Sequence, residues 1–154
     1  MTGDAAATAL VIQPDGKLVF AGSSSFAGSS SNNDFRLVRY NPNGSLDRSF
    51  GSGGKVTTAV SSDGPGGANA LVIQPDGKLV AAGDSSSNLP NYDFTLVRYN
   101  ANGSLDRSFG RGGKVTTPIG PQDAHAYALV IQPDGKLVAA GDSSYRFALA
   151  RYRK

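Results

Sequence analysis

The stretch Ala9-Leu10-Val11-Ile12-Gln13-Pro14-Asp15-Gly16-Lys17-Leu18-Val19 recurs residue for residue at 70–80 and at 128–138, offsets of 61 and 58 residues. Self-similarity at such a period marks an array in which each unit is one supersecondary element stacked on its neighbours. Inside the stretch, two β-rich apolar runs flank Pro-Asp-Gly. Proline presets φ at the first corner of a turn, aspartate tolerates the second, and glycine takes the positive φ that follows. The stretch therefore reads as a β-hairpin. Asp15, Gly16, Asp76, Gly77, Asp134 and Gly135 are assigned to its turn. A residue present in every copy serves the repeat before it serves a unique site.

Working outward through the second unit, 70–74 and 78–83 are the hairpin strands, and 84–92 is a polar loop. In 93–100, Phe94, Leu96 and Arg98 alternate with Thr95, Val97 and Tyr99, the period of a strand with two unlike faces. Asn100-Ala101-Asn102-Gly103 is a second turn, 104–110 a compact connection, and 113–118 an outer strand. The first unit repeats the plan at 9–13, 17–22, 34–41 and 54–58. The third has 128–132, 136–141 and 146–152, without the second turn, the connection or the outer strand. Each unit is thus a four-stranded antiparallel meander, apolar on both faces, which needs cover on both sides. Radial stacking of blades supplies it. The expectation is an all-β propeller segment forming a single repeat domain over 1–154. Blade 1 covers about 5–60, blade 2 about 66–119, and a partial blade 3 about 124–154.

Composition agrees. Of 154 residues, 39% are hydrophobic and 18% charged, with 20 Gly and 8 Pro, a mixture suited to short strands and tight turns. The absence of Cys removes disulfides and thiolate metal sites. A net charge of +3 with no Lys/Arg cluster argues against nucleic acid as a partner. No run of eighteen apolar residues is long enough for a membrane helix. Met1-Thr2-Gly3-Asp4 lacks the basic and apolar blocks of a signal peptide.

Three pieces, Leu71-Val72-Ile73-Gln74-Pro75-Asp76-Gly77-Lys78, Phe94-Thr95-Leu96-Val97-Arg98-Tyr99 and Asn102-Gly103-Ser104-Leu105-Asp106-Arg107-Ser108-Phe109-Gly110, resemble the delta-60 repeat family, as does the following Gly113-Lys114-Val115. The resemblance covers nearly the whole chain. It implies a β-propeller domain of unknown function from bacterial proteins, often large and exported or at the cell surface, with no activity known for the family. The chain departs from the family in being short and in lacking the last strand of its third blade.

The candidate sites carry mostly structural readings. Gly51-Ser52-Gly53-Gly54-Lys55 and Gly110-Arg111-Gly112-Gly113-Lys114 look like phosphate loops, but Lys is followed by a strand signal rather than a helix, so these glycines shape turns. Arg39 and Arg98 sit on covered strand faces and need partners; Asp47 and Asp106 respectively are the expected ones, or the equivalent Asp of a neighbouring blade. Phe50 and Phe109 are expected to anchor the connection in the core. Arg151 holds the same repeat position with no such Asp in its unit. Asn43-Gly44-Ser45 and Asn102-Gly103-Ser104 are formal glycosylation sequons read as turns. His125 is the sole histidine, so no multi-histidine metal centre forms within one chain. No catalytic, cofactor or metal residue is assigned, and no cofactor is expected.

The variable loops 23–33, 84–92 and 142–145 are the place to look for recognition, where Tyr92 or Tyr145 suits a glycan or a protein edge, while any single loop reads first as an inert linker. Fewer than three full blades cannot close a ring, so the chain is expected to self-associate, with a six-bladed dimer favoured, or to be part of something longer. The function expected is a non-enzymatic binding or scaffold module. The rivals are a lectin with one shallow pocket per blade, a hydrolase or lyase with a central site, and a fragment or engineered assembly piece with no ligand.

Overall fold

The computed structural model describes residues 5–24, 34–61, 66–88 and 91–153. They form eleven β-strands in three antiparallel sheets and, among the described residues, no helix. Blade 1 is β1 (Ala5–Ile12), β2 (Leu18–Ser24), β3 (Asp34–Tyr40) and β4 (Lys55–Thr58); blade 2 is β5 (Gly66–Ile73), β6 (Leu79–Asn88), β7 (Asn91–Tyr99) and β8 (Lys114–Thr117). Blade 3 is β9 (Ala124–Ile131), β10 (Leu137–Ser143) and β11 (Arg146–Tyr152). Each sheet is a simple meander, its strands paired in chain order.

The repeated stretch folds as its turn chemistry requires. In all three copies the Gln N–H donates to the Lys carbonyl and the Gly N–H to the Gln carbonyl, every bond at 2.8 Å. The Asp carboxylate accepts the Lys N–H two residues on, and Gly16, Gly77 and Gly135 have φ near +80°. Each inner strand also carries a β-bulge that leaves Thr8, Asn69 or Tyr127 unpaired. Opposite the bulge stand Gly22, Gly83 and Gly141, where a Cβ would lie 1.8 Å from a facing carbonyl oxygen. Only glycine fits there.

Period-two alternation gives each blade two faces. The far face of blade 1 (Val19, Ala21, Phe35, Leu37, with Phe50) packs on the near face of blade 2 (Leu71, Leu79, Ala81, Val97, Tyr99). The far face of blade 2 (Val80, Ala82, Phe94, Leu96, with Phe109) packs on the near face of blade 3 (Leu129, Leu137, Ala139, Tyr152). The array ends in two unlike free surfaces. Leu10 and Ile12 are exposed on the near face of blade 1, where Phe20 and Tyr40 meet edge to face; Val130, Phe147 and Leu149 are exposed on the far face of blade 3.

Three expectations need correction. The inner strands start earlier than the apolar runs suggest, at Ala5, Gly66 and Ala124, because alanine, glycine and His125 pair there through the backbone. The outer strands are shorter, four residues each. Much of the expected loop 84–92 is strand instead: β6 runs to Asn88 and β7 begins at Asn91, with buried Ser85 bonded to Thr95 Oγ1 at 2.7 Å. The start of the chain, 1–4, and most of the loop 23–33, namely 25–33, lie outside the described residues.

Candidate functional site

The blades have two chemically different ends. One holds the Pro-Asp-Gly hairpins, the Asn-Gly turns and the Asp-Arg connections. The other holds the starts of β1, β5 and β9, the ends of β2, β6 and β10, and the starts of β3, β7 and β11.

At the first end, Arg39 and Asp47 are buried together, with Nε 2.9 Å from Oδ2. The guanidinium also donates to Gln13 Oε1 at 3.2 Å, Ser49 Oγ at 3.4 Å and, across to blade 2, the Ala101 carbonyl at 2.7 Å. It lies 4.5 Å from the centre of the Phe50 ring. Blade 2 repeats this with Arg98 and Asp106 at 2.9 Å, Ser108 at 3.3 Å and Phe109 at 4.6 Å. Lys17 and Lys78 add second cations at 3.2 and 3.1 Å from the two carboxylates. The Ser49 hydroxyl, then its N–H, Lys17 and Arg39, hold Asp47 well below the usual carboxylate range against its burial. Ser108, Lys78 and Arg98 do the same for Asp106. Carboxylate and guanidinium are committed to protein partners, so the pair organises a connection. Arg151, at the same position in blade 3, is exposed, and it lowers the nearby turn carboxyl Asp134, whose main partner is Lys136.

The second end holds groups that the sequence did not join. His125, on β9, lies 3.4 Å from Asp84 at the β6 side of the blade 2–3 junction, and Asp84 also accepts from Asn69 Nδ2 at 3.0 Å. Burial raises the Asp84 carboxyl, with His125 and Asn69 opposing. The Tyr92 ring sits 5.0 Å from His125, and the Tyr127 ring stacks on its other neighbour side at 6.2 Å and 19°. Asp123 accepts the Tyr92 N–H at 3.0 Å, and burial, then the neighbouring Asp142 carboxylate, raises the Tyr127 hydroxyl above its ordinary range. A cleft of about 450 Å³ opens here, lined by Gln122, Asp123, His125, Tyr127, Asp142, Ser144 and Tyr145. At its lip Ser144 and Tyr145 form a tight turn with φ of +53° and +63°, and the Tyr145 side chain is wholly exposed.

Of the expected recognition residues, Tyr145 lines this cleft and Tyr92 sits behind His125. Asp84, Asp123, His125, Tyr127 and Asp142 were missed as a group, since 41 residues separate Asp84 from His125. The signal available was positional: residue 142 repeats residue 84, and both are Asp. Pockets repeated in each blade do not follow. Blade 1 has Ala6, Thr8 and Ser23 where blade 3 has His125, Tyr127 and Asp142. Among the described residues, no group of three or more His, Cys, Asp or Glu is placed to hold a metal ion. Nor, among the described residues, is any helix long and apolar enough to cross a membrane.

A family model described as a domain of unknown function (DUF5122) beta-propeller matches residues 13–50, 74–109 and 132–154, more than half of the chain. The chain belongs to this family. Each matched segment of this DUF5122 propeller begins at the glutamine of the hairpin, and the first ends at Phe50, the second at Phe109. What the family shares is therefore centred on the hairpin turn, the third strand and the Arg–Asp connection. Asp123, His125 and Tyr127 lie between matched segments. None of the curated proteins matches the chain.

Proposed function

We propose that this propeller segment is a non-enzymatic scaffold that completes its ring by pairing with a second copy, leaving the end with the cleft free for recognition. The far face of blade 3 in one copy covers the near face of blade 1 in the other, twice, giving six blades. One observation carries the reading: the two free surfaces are the same two surfaces that already join twice within the chain. Phe35 and Phe94 are 0% exposed at their junctions, whereas Phe147 at the same repeat position is fully exposed; Leu149 is 70% exposed where Leu37 and Leu96 are 0%. On the facing side, Leu10 is 50% exposed where Leu71 and Leu129 are 7%.

Burying each such side chain is worth roughly 1.5–3 kcal/mol. The first junction must offset an association cost of roughly 4–15 kcal/mol. The second forms within the pair and carries no further cost of that kind. Head-to-tail contacts of this type either close or run on as filaments, and six blades lie within the range in which propellers close.

Sedimentation or light scattering provides the test. The expected mass is twice the 15.8 kDa of one chain. Leu149→Asp places a charge in the junction and is expected to leave a folded monomer. A wild-type chain that is folded and stable at the mass of one copy would sink the reading and assign the free faces to further repeats of a longer protein.

A further inference from the structure

We propose that the cleft formed by Tyr127, Tyr145, His125, Asp123 and Asp142 binds a neutral saccharide, one per chain. The reading does not rest on ring closure, because every wall of the cleft comes from one chain.

Three observations lead there. The first is shape and lining: about 450 Å³ lies within the range of small-molecule sites, and the rings of His125, Tyr127 and Tyr145 are set in a mostly polar wall of carboxyl, amide and hydroxyl groups. The His125 and Tyr127 rings run within 19° of parallel. Tyr127, stacked beside His125 and 56% exposed, offers its ring to the C–H face of a pyranose. A cage around an organic cation needs ring faces turned toward one point.

The second is an unmet acceptor. At the blade 2–3 junction Asp84 Oδ1 lies near two donors, Asn69 and His125. The equivalent Asp142 has a covered Oδ1 with no hydrogen-bond partner. An unpaired buried oxygen is costly, and a ligand hydroxyl is the donor it lacks. Ring closure would not fill the gap, since the residue corresponding to His125 in blade 1 is Ala6.

The third is strain. Ser144 and Tyr145 both adopt positive φ, a conformation that tyrosine takes at a cost. Asparagine or glycine would relieve it. Instead the turn holds a large aromatic ring in solvent at the mouth of the cleft.

His125 is the only histidine, so its imidazole proton signals report on the cleft without ambiguity. The full chain is titrated with maltotriose, cellotriose and triacetylchitotriose, and separately with tetramethylammonium chloride. At least one trisaccharide is expected to shift the His125 signals saturably, with a Kd on the order of 1 mM. Tyr145→Asn, which removes the ring and suits the positive φ, is expected to raise Tm while weakening binding at least about tenfold. Asp142→Asn keeps the shape and is expected to weaken binding too. No shift with any trisaccharide overturns the proposal, as does a shift with tetramethylammonium alone. So does a sugar-induced shift that survives Tyr145→Asn and Tyr127→Ala. The readout is separate from the mass measurement, so either proposal can fail without the other.

Discussion

The two blade junctions share one apolar design but differ in their polar fastening. Between blades 1 and 2, cross-links run the full width of the sheet. Thr8 donates to the Ala68 carbonyl at the inner strand, and Tyr99 to Thr58 at 2.9 Å. Arg39 reaches the Ala101 carbonyl at 2.7 Å, and the Gly51 N–H bonds the Asn102 carbonyl at 2.8 Å. Between blades 2 and 3 the cross-links gather at the opposite end: Asn69 to the Ala126 carbonyl, Asn91 to the Pro121 carbonyl and Tyr92 N–H to Asp123, all at 3.0 Å, with Asp84 beside His125. The apolar faces therefore provide generic adhesion. The polar groups decide which edge of a junction is pinned.

If the apolar cores are equivalent, Phe35→Ala and Phe94→Ala should cost the same, about 3–5 kcal/mol each in urea denaturation. Phe147→Ala should change chain stability by no more than about 0.5 kcal/mol under conditions that keep the chain monomeric. Unequal costs for the first two would break the equivalence.

A smaller effect tests the pinning of the first junction. Gly44 and Gly103 both have positive φ, but a Cβ at Gly44 meets nothing within 4 Å, whereas at Gly103 it would lie 2.9 Å from the Phe50 ring and from Val56. Gly44→Ala should cost about 1–2 kcal/mol for backbone conformation alone. Gly103→Ala should cost about 1–3 kcal/mol more, through overpacking at the junction. Equal values would mean that the blade 2 turn is not docked on blade 1.

The finest distinction lies in pH. Asp47 and Asp106 have folded pKa values held below their unfolded ones, so their stabilising effect is complete above about pH 4 and is lost as pH falls toward the folded values. Asp84 is raised by burial, so its contribution has the opposite sign: present at low pH and lost as pH rises through its folded value. Acid should therefore weaken the Arg–Asp connections of blades 1 and 2 alike, while the Asp84 contact at the opposite end of the second junction is not weakened. Melting curves of Asp47→Asn and Asp106→Asn should be flatter with pH below about 4 than those of the wild type.

The blade plan was legible because its signals are local. Pro-Asp-Gly sets each turn, and Phe94, Leu96 and Arg98 declare their face by alternation. The Arg–Asp partners were also readable, eight residues apart across one turn. The extended β6–β7 hairpin was not, because Ser85 and Ser86 are buried without apolar periodicity, Ser85 through backbone pairing and a hydroxyl bond to Thr95. Nor was the cleft. Its wall is drawn from two stretches of blade 3 joined by strand pairing, His125 meets Asp84 and Tyr92 only across the blade 2–3 junction, and a lone histidine carries no sign of what will stand beside it.

The bulged position of the inner strand has a further consequence. The glycine opposite it is the same in all three units, while the bulged residue is Thr8, Asn69 or Tyr127. A fixed frame thus holds one interchangeable key per blade, and Thr8 and Asn69 fit the same lock: each donates to the backbone carbonyl of the alanine at the matching place in the next blade, Ala68 and Ala126. A carbonyl asks only for a donor, so this position is free to vary from blade to blade while the contact with the blade that follows is kept.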